Sequence, residues 1–103
     1  MSPWIKIDSE ADYTGPVQVY EHEGNPIAIF RLEDSYYAID NICSHEHAFL
    51  SEGEIDDSEI ECPLHGAIFD IKTGKNLTLP AVLPVKSYPV KVENGEIFLQ
   101  VDD

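Results

Sequence analysis

Positive charge is scarce in this chain. Six Lys and Arg face twenty Asp and Glu over 103 residues, a formal net charge of −14. Nucleic-acid phosphates need basic partners, so no nucleic-acid role is expected. The acid is either a well-solvated surface or a field steering the molecule toward a basic patch on a protein partner; composition alone does not separate the two. Long apolar runs are missing as well. No stretch approaches the ~18 residues of a membrane span, and no membrane association is expected. The opening MSPWIKIDSEADY has neither the basic region nor the apolar core of a signal peptide. A cytoplasmic location is therefore expected. No G-x-G-x-x-G element offers a flavin or nicotinamide site. Cysteine occurs only as Cys43 and Cys62, and a lone structural disulfide does not suit a reducing compartment. Metal binding is the better reading, because each cysteine has a histidine close behind it.

What is present is the pattern of a small β-protein. The apolar fraction, 43%, is that of an ordinary globule. The length suits one domain, with a core small enough that a metal stapling its loops would help. Short β-type runs are cut by turn residues: Trp4 to Ile7, Val17 to Tyr20, Pro26 to Leu32 and Tyr36 to Ile39. Breaks fall at Gly15-Pro16, Gly24-Asn25 and Glu33-Asp34-Ser35. YPVKVENGEIFLQV alternates on both sides of Asn94-Gly95, the strongest hairpin signal in the chain. Seven prolines and six glycines leave little room for a long helix. The spacing predicts an all-β fold, an antiparallel sandwich or barrel-like structure of 1–40 and 75–103. Into it a metal-binding subdomain of about 41–74 is inserted, within a single domain of 1–103. Trp4 and the tyrosines are read as core and sheet-face residues, and His22 as solvated.

The chemistry lies in NICSHEHAFL and ECPLHGAIFD. The pattern is Cys43-x-His45 and then Cys62-x-x-His65. Gly53 and the turn Asp56-Asp57-Ser58 allow two short strands between the halves, which would bring both loops to one end. Two thiolates and two imidazoles could hold one tetrahedral zinc or a [2Fe–2S] cluster. Cys-x-His is a poor half of a zinc knuckle, which favours the cluster. Gly66 lets the backbone pass close to a sulfide and turn an N–H toward it.

CSHEHAFLSEGEI followed by CPLHGAIFDIKTGK closely resembles the Rieske iron–sulfur proteins, especially the small ferredoxins of bacterial aromatic-ring dioxygenase systems. The resemblance runs over essentially the whole chain. It implies an all-β Rieske fold, with Cys43 and Cys62 on an inner iron and His45 and His65 on an outer, solvent-facing one. His47 is then a bystander beside the cluster, and Leu79-Pro80-Ala81, near Pro84, is either the loop that shields it in this family or a plain connection back to the basal strands. Two ferric ions, two sulfides and two thiolates sum to zero charge, so histidine ligation raises the potential above that of all-cysteine clusters. High-potential relatives have a second cysteine in each loop, forming a disulfide, where this chain has Ala48 and Leu64. They also have serine and tyrosine hydroxyls where it has Ala67 and Phe69. The departures imply a potential near the low end of the Rieske range.

The resemblance further implies a monomeric one-electron carrier rather than an enzyme. The residues after His65 are too few for the catalytic domain of a Rieske oxygenase. The expected partners are an NAD(P)H-dependent flavoprotein reductase and a terminal Rieske oxygenase of an aromatic-ring dioxygenase. Two other readings are a small Rieske-like subunit of assimilatory nitrite reductase, and a zinc-stapled β-module for protein contacts.

Overall fold

The computed structural model describes residues 3–44, 48–64, 66–79 and 83–101. Among these residues ten strands form three antiparallel sheets. They are β1 (Trp4–Ser9), β2 (Val17–His22), β3 (Asn25–Leu32), β4 (Ser35–Asp40), β5 (Glu54–Asp56), β6 (Glu59–Glu61), β7 (Ile68–Asp70), β8 (Ser87–Tyr88), β9 (Val90–Glu93) and β10 (Glu96–Gln100). The sheet orders are β1-β10-β9, β2-β3-β4-β8 and β5-β6-β7. A 3-10 turn, Leu50–Glu52, precedes β5. Among the described residues no helix is long and apolar enough to cross a membrane.

The second sheet is the middle layer, and β3 shows why. Successive strand side chains point to opposite faces, yet Ile27, Ala28, Ile29 and Phe30 are all buried. A strand reads as a continuous apolar run when both of its faces are covered. Ala28, Phe30 and Ile39 enter one core with Leu50, Ile60 and Phe69. Ile27, Ile29 and Ala38 enter the other, with Ile97 and Leu99. The sheet β5-β6-β7 therefore packs on one face of the middle layer, and β1-β10-β9 on the other.

Tight turns connect the hairpins. Asn94 and Gly95 both have positive φ, 53° and 75°, which is the geometry a two-residue type I′ turn demands. Glu23 and Gly24 repeat it between β2 and β3, at φ 51° and 83°. The chain passes from the middle sheet to the outer one at Pro89, between β8 and β9, whose carbonyl accepts the Gln100 N–H at 3.0 Å.

Candidate metal centre

β4 delivers Cys43 and β6 delivers Cys62, and the two loops that follow close alike. The Cys43 N–H donates to the Ala48 carbonyl at 2.9 Å, and the Cys62 N–H to the Ala67 carbonyl at 2.7 Å. Beneath the first loop Ile42 and Phe49 form an antiparallel bridge. Beneath the second, Glu61 and Ile68 are partners in the β6–β7 ladder. The bonds and pairs that close the two loops thus match. Repetition stops at the imidazoles, because the same six-residue span holds Cys-x-His in one loop and Cys-x-x-His in the other.

Both thiols sit at the loop end of the first core. Cys43 is 4% exposed and Cys62 1%, and neither is in a disulfide. Ala48 and Ala67 are buried beside them. Phe69 is fully buried under the second loop, whereas Leu64 is exposed. Gly66 has φ +71°, a left-handed conformation that a side chain would strain. His45, His47, His65 and Pro80 lie outside the described residues.

A third segment runs beside the two loops. The Ile68 N–H donates to Thr78 Oγ1 at 3.0 Å, and the Leu77 N–H to the Ile68 carbonyl at 2.8 Å. From the first loop, the Ser44 hydroxyl donates to the Leu83 carbonyl at 2.6 Å. The flanks of the proline-containing loop are therefore bonded to both cysteine loops. Around them Ile42, Phe49, Leu64, Leu77, Leu79 and Leu83 stand exposed, an apolar rim on a strongly acidic molecule. The sheet below turns Ile60 and Phe69 inward and sets like charges opposite one another outward: Glu54 by Glu61, Asp56 by Glu59, Glu59 by Asp70. Such pairs repel, so this face carries uncompensated negative charge.

Asn41, Ser44 and Thr78 were not singled out from sequence. Nothing in a single chain marks them, since each acts through partners that only folding brings near. His22 differs from expectation. At the end of β2 its side chain is only 20% exposed, with Nε2 3.4 Å from the Glu23 carboxylate.

Two buried thiols on matched loops are a donor set suited to one iron of an iron–sulfur cluster, soft and shielded from water. The Rieske [2Fe-2S] domain model matches residues 3–89. The chain belongs to the Rieske [2Fe–2S] family. Its cofactor is a Rieske-type cluster, and it is an electron-transfer component rather than an enzyme. It is 50% identical over 78 residues to the 3-phenylpropionate/cinnamic acid dioxygenase ferredoxin subunit of Shigella flexneri serotype 5b (strain 8401), covering 75% of this chain and 74% of that one. The ferredoxin of carbazole 1,9a-dioxygenase from Nocardioides aromaticivorans IC177 has a similar structure, with TM-score 0.87 and 39% identity over 95% of this chain and 97% of that one. The ferredoxin in a complex of reduced oxygenase and oxidized ferredoxin of carbazole 1,9a-dioxygenase gives TM-score 0.86 and 33% identity, covering 94% and 92%.

Proposed function

We propose that this Rieske protein carries single electrons in an aromatic-ring dioxygenase system, from an NAD(P)H-dependent flavoprotein reductase to a terminal oxygenase. The observation that carries the reading is the pair of matched loops, which bury both thiols beneath an exposed apolar rim. A redox centre held there lies close to any protein surface that covers the rim. Cys43 and Cys62 would hold one iron of the cluster, and His45 and His65 the other. His47 stands beside the site, and Pro80 belongs to the shielding loop. The cluster-binding portion is 41–74 and the basal portion 1–40 and 75–103; one core is drawn wholly from the basal portion, while the other is shared, with Ala28, Phe30, Ile39 and Val85 packed against 41–74. The protein works in the cytoplasm as a monomer, where a reducing environment keeps its thiols available.

When bound, the cluster supplies one reversible electron. The chain's own part would be to hold it by two thiols kept from water. Visible and EPR spectra before and after dithionite test the ligand set. The purified protein should show Rieske spectra, lost in His45→Ala and His65→Ala and retained in His47→Ala. A colourless protein carrying zinc, or loss of the spectrum in His47→Ala, overturns the assignment. Reduction by NAD(P)H and the reductase, followed by reoxidation on adding oxygenase, tests the pathway.

The same residues support a low potential. Ala67 and Phe69 are fully buried and carry no hydroxyl, so neither can donate to the reduced, more negative cluster. The midpoint should fall near the low end of about −150 to +300 mV, and a value above about +100 mV contradicts this. Phe69→Tyr or Ala67→Ser, by adding a donor, should raise it, by roughly 60 mV for each tenfold preference gained by the reduced form.

A further inference from the structure

The two cysteine loops close alike but are anchored differently. The second springs from a three-stranded ladder, in which Ile60, just ahead of Glu61 and Cys62, is paired with Ile55 on one side and Phe69 on the other. Regular strands set that loop. The first enters from β4, paired with β3 as far as Asp40, but its two limbs are joined to each other only by the isolated Ile42–Phe49 bridge among the described residues. The residue that holds Ile60's place in it, one position before the bridged residue, is Asn41. It is the only buried polar or charged residue among those described, 2% exposed.

Burying an amide is costly unless its polar atoms are bonded, and here they do specific work. The Asn41 N–H donates to the Pro26 carbonyl of β3 at 3.0 Å, and the Asn41 carbonyl accepts the Leu50 N–H at 2.7 Å. The side-chain Oδ1 accepts the Ser51 N–H at 2.8 Å. One residue therefore joins the start of the loop to its end through two bonds and to the middle sheet through a third. An apolar side chain at this position, as at Ile60, would leave the Ser51 N–H without its acceptor.

We infer that Asn41 is a positioning residue for the metal centre, joining the two limbs of the Cys43 loop where the Cys62 loop has a strand ladder, and holding the Cys43 loop in register with the Cys62 loop. This rests on Cys43 being a ligand. It does not require Asn41 to touch the cluster.

The test uses the cluster-loaded protein and three variants: Asn41→Ala, Asn41→Asp and Ile97→Val. The last trims the opposite core. Two readouts apply: the rate of iron loss to a chelator, and the line width of the reduced EPR signal. Outer partners of metal ligands are commonly worth about 10- to 100-fold in metal retention. Asn41→Ala should lose iron about tenfold faster or more and broaden the signal. Asn41→Asp keeps an acceptor oxygen in either protonation form and should stay within about twofold of wild type on this measure, restoring the line width. Ile97→Val should alter neither readout even where it lowers the melting temperature. Wild-type behaviour of Asn41→Ala, or equal acceleration by Ile97→Val, overturns the inference. Should Asn41→Ala not fold, rapid loss from Asn41→Asp overturns it and near-wild-type loss supports it. A wild-type protein without a Rieske spectrum would instead fail the ligand assignment, so the two failures are distinct.

Discussion

Tyr13 combines three effects in one buried side chain. Its hydroxyl donates to the Ile29 carbonyl at 2.6 Å, and its ring meets Tyr36 edge-on at 5.1 Å. Burial, reinforced by Tyr36, raises its pKa from 10.0 to about 12. Below pH 10 both the folded and unfolded chains keep the proton, and the contribution is complete. Between 10 and 12 only the unfolded chain loses it, so stability falls as pH rises. Tyr36 and Tyr88 are raised as well, chiefly by burial, and act in the same direction. Tyr13→Phe should cost about 1–2 kcal/mol at neutral pH, by losing a bond and stranding the Ile29 carbonyl. It should also flatten the decline measured by urea unfolding between pH 9 and 11. An unchanged decline would show that Tyr13 is not its source. At this scale the sequence was partly legible. The cysteines stand out because few chemistries use thiol and imidazole at such spacing, while the role of Asn41 depends on Pro26, distant along the chain, and the partial burial of His22 on how β2 packs.

The elements were legible wherever local chemistry decides them. Asn94-Gly95 predicted its hairpin because both residues accept positive φ, and the strands on either side formed as read. Pro26 to Leu32 reads as β-type, and the unbroken burial of Ile27 to Phe30 within it has its cause in the two-sided cover of the middle sheet. β7 and β8 span three and two residues, too short for any alternation to register. The pairing of β1 with β10 could not be read either, since it joins the two ends of the sequence. Two glycines separate the contributions of conformation and space. Gly95 has φ +75° and open space around a would-be Cβ, whereas at Gly74, φ +79°, a Cβ would overlap the Val85 carbonyl oxygen. That oxygen is fixed backbone on the segment following the proline loop. Gly95→Ala should therefore cost about 1 kcal/mol from backbone strain alone. Gly74→Ala should cost a further ~1–3 kcal/mol from the forced shift. Paired denaturation curves check this, and equal losses would mean the Val85 segment yields freely.

Across the whole molecule, charge and apolar surface divide the labour. A net charge of −14 and an outward face of opposed carboxylates on β5-β6-β7 produce a long-range field, while the leucine rim offers short-range contact. Salt screens the first over ~8–10 Å at physiological strength and leaves the second. Association with a basic partner should thus slow as ionic strength rises, with most of the change in the on-rate. Stopped-flow reduction of the oxygenase at rising NaCl measures it. A rate indifferent to salt would assign the acidity to solvation alone. This was the choice composition left open, and the fold contributes the location of the acid.

Trp4 lies opposite Gln100, so the first and last strands run side by side in the layer that the middle sheet separates from the cysteines. Both ends of the described chain therefore leave from the same layer, remote from the loops. A tether, reporter or neighbouring polypeptide joined at either end would leave the leucine rim uncovered. The described chain thus keeps its points of attachment and its cysteine loops on opposite sides of the middle sheet.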